Sequence, residues 1–158
     1  MYICSAKLLT ELILICDTMK EVGIINREIA SAISKQGHSD LLMIVDAGFA
    51  IPKGVEVIDV SIAENKPMVL EVLAELSRFF SVEKMFMAIQ TKETSPSLFA
   101  NIASSFGDGV PIEIIDHTAL KEMSKSVKTI IRSGDFTAYG NVILVSGAGK
   151  RWFCENES

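Results

Sequence analysis

Residues 36 to 48 read QGHSDLLMIVDAG, and this stretch carries the strongest indication of the fold. Its apolar run, residues 41–45, is continuous and bounded by turn signals, a pattern typical of a buried strand. His38 lies just before the run and Asp46 just after it, so the stretch predicts a buried strand with a polar group at each end.

The rest of the chain alternates between helical and strand periodicity. Helices are predicted to begin near Asn26, Pro67 and Ser95, and another is predicted around Leu120 and Met123. Strands are predicted at residues 41–45, 55–62, 84–89, 110–115, 127–132 and 141–146. This alternation predicts a single α/β domain whose central, mostly parallel sheet is flanked by helices.

Composition narrows the classes of partner. The net charge is −5 with a pI of about 5.1, and no basic stripe is present, so binding to nucleic acid or to an anionic membrane is not expected. Hydrophobic residues make up 49% of the chain and the mean hydropathy is +0.35, high values for a monomer in water. A large contact between subunits would cover this surplus, so the composition predicts a homo-oligomer.

Cofactor and metal motifs are missing from the sequence. Cys4, Cys16 and Cys154 lie outside the predicted core elements, and the chain has only two histidines, so neither a zinc cluster nor a histidine-rich metal site is expected. GAGK at residues 147–150 lacks the other residues of a phosphate loop, and no dinucleotide-binding or serine-hydrolase motif occurs. We therefore expect no metal or cofactor, and inert thiols in the reducing cytoplasm.

Residues 1–18 precede the predicted domain. Their apolar run, residues 8–16, is interrupted by Glu11 and is shorter than the ~20 residues that span a membrane. The segment also lacks a strongly basic start and a small-residue cleavage site. We expect a non-essential extension or a start assigned too early, followed by one domain covering residues 19–158.

Five polar residues lie at the ends of predicted strands. They are His38, Asp46, His117, Tyr139 and Asn141. Open α/β sheets bind ligands beyond the carboxyl ends of their strands, so these residues are the candidates for a site. Asp46 and His117 follow strands, whereas Tyr139 and Asn141 precede one. A single site then requires either an antiparallel last strand or groups supplied by a neighbouring subunit, and the hydrophobic surplus favours the second arrangement.

Three of the candidates also have a purely structural explanation. Asp46, like Asp116, is suited to form a turn or cap a helix. His38, next to a helix-ending glycine, is suited to bond the last helical carbonyls. Tyr139 is compatible with a core position whose hydroxyl reaches water. The residues alone leave these alternatives open.

Four longer segments carry a specific resemblance. In chain order they are GIINREIASAISKQGHSD (23–40), IVDAGFAIPKGVEVIDVSI (44–62), DHTALK (116–121) and IRSGDFTAYGNVILVSG (131–147). Together they resemble the D-ribose pyranase and L-fucose mutarotase family over about residues 19–147. DAGFAIP and VIDVSI are similar to the ribose branch, whereas Tyr-Gly-Asn at 139–141 is more like the fucose branch.

The resemblance implies a function and an assembly. His38 would occupy the position of the family's proton donor, and Asp46, His117, Tyr139 and Asn141 would correspond to its sugar-binding residues. The expected activity is cofactor-free interconversion of the pyranose and furanose forms of D-ribose. The expected assembly is a ring of five subunits, or two stacked rings, with each site shared between neighbours. The alternatives are L-fucose or another monosaccharide as substrate, and a non-catalytic sugar-binding module associated with sugar uptake.

Overall fold

The computed structural model describes residues 22–149, which form a six-stranded sheet with helices on both faces. Residues 1–18 and the end of the tail lie outside this range. The helices are α1 (Arg27–Ser34), α2 (Val69–Leu76), α3 (Ile89–Thr94), α4 (Pro96–Ser104) and α5 (His117–Met123), with a 3₁₀ helix at Ser124–Ser126. The strands are β1 (Leu41–Val45), β2 (Glu56–Asp59), β3 (Val82–Ala88), β4 (Ile112–Ile115), β5 (Thr129–Arg132) and β6 (Val142–Ser146).

Strand order and direction confirm the mostly parallel sheet. The order is β2-β5-β1-β6-β3-β4. β1 pairs parallel with β5, β5 with β2, and β3 with β4. β6 alone runs antiparallel, between β1 and β3. β6 therefore lies at the centre of the sheet and begins where its neighbours end.

β1 is a buried strand, as its apolar run predicts, and its side chains pack on both faces of the sheet. Leu42 and Ile44 pack into the core on one face, with Leu73 of α2 and Ile102 of α4. Met43 and Val45 pack on the opposite face in a second cluster, which includes Leu120 of α5. Burial of a side chain of this size contributes roughly 1.5–3 kcal/mol, so both faces of β1 hold the strand in place.

The start of α1 agrees with the prediction, whereas the bounds of other helices and strands differ from it. α1 begins as expected, because the Asn26 Oδ1 accepts hydrogen bonds from the backbone N–H of Glu28 and Ile29, each at 3.0 Å. β2 is shorter than predicted because it is an edge strand that pairs only with β5. α3 was missed: the apolar run of β3 continues into Ile89, so periodicity does not mark the point where the helix begins.

Gly134 packs tightly against the backbone of another segment. A Cβ at this position would lie 2.5 Å from the carbonyl oxygens of both Ala63 and Lys66. Gly134→Ala is therefore expected to destabilise the protein by about 1–3 kcal/mol, because backbone atoms cannot move aside as a side chain can. Denaturant unfolding measures the effect, and Gly109→Ala is the matched control, since nothing lies within 4 Å of a Cβ there. Equal stability of the two variants would contradict this packing.

The helices within residues 22–149 are too short or too polar for any of them to cross a bilayer.

Candidate functional site

A cavity of about 460 Å³ lies at the carboxyl ends of β1 and β5. Ligand sites for small molecules commonly have volumes of this order. Four of the five predicted residues line it, namely Asp46, His117, Tyr139 and Asn141; the lining also includes Phe49, Lys121, Arg132, Asp135, Phe136 and Thr137. In the part of the chain that the structure describes, no three His, Cys, Asp or Glu side chains are grouped to hold a metal ion.

The antiparallel course of β6 brings these residues together. Ile44 near the end of β1 lies opposite Val142 at the start of β6, so Asp46 and Asn141 meet at the same edge of the sheet. The preference for a neighbouring subunit as the source of Tyr139 and Asn141 is therefore wrong. A single chain brings both residues to Asp46 because its last strand is reversed.

Asp46 and Asn141 hold each other through two hydrogen bonds. The Asp46 backbone N–H donates to Asn141 Oδ1 at 3.0 Å, and Asn141 Nδ2 donates to Asp46 Oδ2 at 2.9 Å. Gly48 N–H donates to the other carboxylate oxygen at 3.0 Å. Burial raises the pKa of Asp46, against the opposing effects of these hydrogen bonds. The carboxylate is fixed in place, and its remaining lone pairs can accept bonds from a ligand.

His117 forms an aromatic wall of the cavity. It is the first residue of α5, directly after Asp116, whose Oδ1 caps the helix by accepting from Thr118 N–H at 2.8 Å. Its ring meets that of Tyr139 edge to face, with centroids 5.0 Å apart, and that of Phe49 at 6.3 Å. The His117 Nδ1 atom is buried and has no hydrogen-bond partner within residues 22–149. Unpaired buried polar atoms are rare, so this nitrogen is an unusual feature of the cavity wall.

Burial, followed by the charge of Lys121, lowers the pKa of His117 below its ordinary value of 6.5. The imidazole is therefore neutral at neutral pH and can both donate and accept a hydrogen bond. Because the unfolded chain binds this proton more readily, His117 costs stability as the pH falls below 6.5, and this cost is absent above that value.

Lys121→Met is expected to raise the pKa of His117, since it removes a nearby positive charge. A titration of the histidine imidazole NMR signals measures the shift. Lys125→Met is the matched control, because Lys125 pairs with Glu122 at 2.6 Å and does not contribute to the His117 pKa shift. An unchanged His117 titration in Lys121→Met would contradict the assigned cause.

Sequence reasoning missed two residues that shape the cavity. Asp135 is fully buried, and its carboxylate accepts hydrogen bonds from Val69 N–H at 3.0 Å and Thr137 N–H at 2.8 Å. Arg132 donates to Asp59 Oδ2 at 2.8 Å and to the carbonyl of Ala47. The Asp-x-Thr spacing at 135–137 is a turn signal that could have indicated the first, whereas the contacts of Arg132 join three segments and have no local signature.

His38 lies at the other end of β1. Its Nε2 is 2.8 Å from Glu83 Oε2 on β3, and its side chain is 65% exposed. Its neighbour Ser39 donates its backbone N–H to the carbonyl of Ser146, at the far end of β6 from Asn141. The five residues of β1 separate the two ends by roughly 16 Å at the usual rise per residue. Within one chain His38 is therefore outside the Asp46 cavity, and it bonds Glu83 instead of the helical carbonyls considered above.

Comparisons with known proteins agree with this architecture. The model of the RbsD / FucU transport protein family matches residues 19–149. The D-ribose pyranase of Pseudothermotoga lettingae is 38% identical over 129 residues, which are 82% of this chain and 92% of that protein.

Two solved structures share the fold. The structure of Bacillus subtilis RbsD complexed with D-ribose is similar with a TM-score of 0.79 and 34% identity, covering 83% of this chain and 99% of that one. The fucose mutarotase of Streptococcus pneumoniae, solved in complex with L-fucose, has a TM-score of 0.62 and 15% identity over 83% of this chain and 99% of that one, a likeness of fold alone. Because the family match covers residues 19–149 and the relative is 38% identical, this chain belongs to the RbsD / FucU transport protein family.

Proposed function

We propose that the protein is a mutarotase that interconverts the pyranose and furanose forms of D-ribose without a cofactor. The observation that carries the proposal is the cavity at the β1–β6 edge, which is lined by the fixed carboxylate of Asp46 and by the imidazole of His117. Such preplaced polar groups suit the hydroxyls of a monosaccharide. The ribose branch is supported by the D-ribose pyranase relative at 38% identity and by the ribose-bound structure at 34%.

The protein has to supply only proton transfers, because the sugar itself contains every atom that the ring opening and closure need. Ring opening breaks the bond between the anomeric carbon and the ring oxygen; the ring oxygen gains a proton and the anomeric hydroxyl loses one, which leaves an open-chain aldehyde. Attack of the 4-hydroxyl on the aldehyde carbon then closes the furanose ring, with the reverse proton movements. Acid–base groups positioned for such steps typically contribute ~10²–10⁴-fold.

We assign the proton donor role to His38, because imidazole exchanges protons near neutral pH. Asp46 would accept hydrogen bonds from the sugar and orient it. His117, Tyr139 and Asn141 would bind hydroxyls and distinguish the ring forms. The contact between His38 and Glu83 at 2.8 Å supports this role, since a carboxylate partner orients an imidazole ring.

The proposal requires a second subunit, because His38 and the cavity lie at opposite ends of β1. A ring of five subunits, or two stacked rings, would place the His38 end of one subunit against the cavity of the next. Exposed apolar side chains agree with such contacts: Ile62 is 86% exposed, Ile25 73% and Phe136 65%. The proposed place of action is the cytoplasm, where unpaired thiols persist.

Saturation-transfer NMR tests the activity directly. The purified protein is expected to accelerate pyranose–furanose exchange of D-ribose at equilibrium, with less effect on L-fucose. Faster exchange of L-fucose than of ribose would identify the fucose branch, a possibility that Tyr139-Gly140-Asn141 keeps open. Binding of ribose without faster exchange would identify a sugar-binding module and overturn the enzymatic proposal.

A further inference from the structure

Two consecutive residues, Gln90 and Thr91, connect the sheet to the walls of the cavity. They lie in the first turn of α3, directly after β3, and neither was among the candidates from the sequence. Their side chains reach different elements: Gln90 contacts the start of α5, and Thr91 contacts the loop before β6. β3, which directly precedes both residues, is held in the sheet on both sides, by pairing with β6 and with β4.

Gln90 holds the backbone of His117. Its Oε1 accepts a hydrogen bond from the His117 N–H at 3.0 Å, and its Nε2 donates to Asp116 Oδ2 at 2.9 Å. The N–H groups in the first turn of a helix have no partner within the helix, so Gln90 satisfies one of them from outside α5. Because the two bonds use opposite ends of one amide group, they fix its orientation and that of the helix start.

Thr91 holds the backbone of Tyr139. The side chain is fully buried, and its hydroxyl donates to the Tyr139 carbonyl at 2.6 Å. The same carbonyl accepts from Asn141 N–H at 2.8 Å. Tyr139 has a φ of 63°, in the left-handed region that residues with a side chain rarely adopt. Such a conformation persists only where the surroundings enforce it, and Thr91 supplies a buried anchor for this peptide group.

The two contacts act on one pair of rings. The rings of His117 and Tyr139 meet at 5.0 Å with an interplanar angle of 88°. We propose that Gln90 and Thr91 are positioning residues that set the geometry of this ring pair, and thereby the affinity of the cavity for its sugar. The inference rests on the proposed function for its choice of ligand. Binding sites of this kind tolerate displacements of only about 0.5 Å, so small movements of either ring are expected to weaken binding.

Substitutions of matched shape test the two contacts separately. Gln90→Glu replaces the donor amide by a carboxylate facing Asp116, and Thr91→Val removes only the hydroxyl. Each is expected to weaken D-ribose affinity roughly tenfold, because the ring that the lost hydrogen bond positions is displaced. Thr91→Ser keeps the hydroxyl and is expected to stay near the wild-type affinity.

Histidine NMR gives a readout that does not require the sugar. The chain has two histidines, so His38 serves as an internal reference for His117. Gln90→Glu and Thr91→Val are expected to shift the His117 imidazole signals, through its changed position at the Tyr139 ring, and to leave those of His38 in place. Unchanged His117 signals in both variants would overturn the inference, as would equal losses of affinity in Thr91→Ser and Thr91→Val. If the wild-type protein neither binds nor converts ribose, the proposed function fails, while the His117 signals still decide the positioning role.

Discussion

His38→Ala is expected to reduce catalysed ribose exchange by about 10²–10⁴-fold, because it removes the proposed proton donor. Ribose affinity is expected to change little, since the proposed sugar-binding residues that line the cavity, Asp46, His117, Tyr139 and Asn141, are all retained in this variant. Saturation-transfer NMR measures the exchange rate, and calorimetry measures the affinity. Retention of full activity in this variant would eliminate the assignment.

Mixing His38→Ala with a second variant tests whether the proton donor and the cavity come from different subunits. His38→Ala chains keep an intact cavity, whereas Asn141→Asp chains keep an intact His38. Mixed assemblies of these two impaired chains are expected to be more active than either chain alone, because some interfaces then join an intact cavity to an intact histidine. Verified mixed assemblies with no gain in activity would show that the proton donor does not come from a neighbour. Lys35→Ala, near His38 in sequence but paired with Glu56 at 3.6 Å, is the matched surface control.

Asn141→Asp is expected to destabilise the protein in a pH-dependent way. The change has almost the same shape, but it places a second carboxyl against Asp46 Oδ2, where Asn141 now donates at 2.9 Å. Two buried carboxyls in contact share one proton, and the pKa of the pair in the folded state rises above the ordinary value of ~3.9. Stability is therefore nearly unaffected below that pH and is lost as the pH rises through the raised pKa.

The expected loss at neutral pH is on the order of 2 kcal/mol, together with a loss of ribose affinity of about tenfold or more. Thermal unfolding measured near pH 4 and near pH 8 gives the stability difference. Asn101→Asp on the exposed side of α4 is the control for the charge alone, and it is expected to show little change. A penalty that is the same at both pH values would contradict the carboxyl contact.

The sequence predicted the elements that depend on local pattern. The apolar run of β1, the cap at Asn26 and the alternation of strands with helices all appear in the structure. α3 was missed because Ile89 extends the apolar run of β3, and apolar residues alone do not distinguish the end of a strand from the start of a helix. The roles of Gln90 and Thr91 were missed for a related reason: their partners lie 26 to 48 positions away along the chain.

Four residues of the cavity could be chosen from the sequence, but Arg132, Asp135 and the arrangement of the site could not. The strand pattern by itself determined that His38 and Asp46 lie at opposite ends of β1, since each residue of an extended strand advances the chain by about 3.3 Å. Only the tertiary structure decided that Tyr139 and Asn141 meet Asp46, because this depends on the direction of β6. A strand buried on both faces has the same apolar pattern whether it runs parallel or antiparallel, so its direction is decided by pairing with β1 and β3 and not by its own residues.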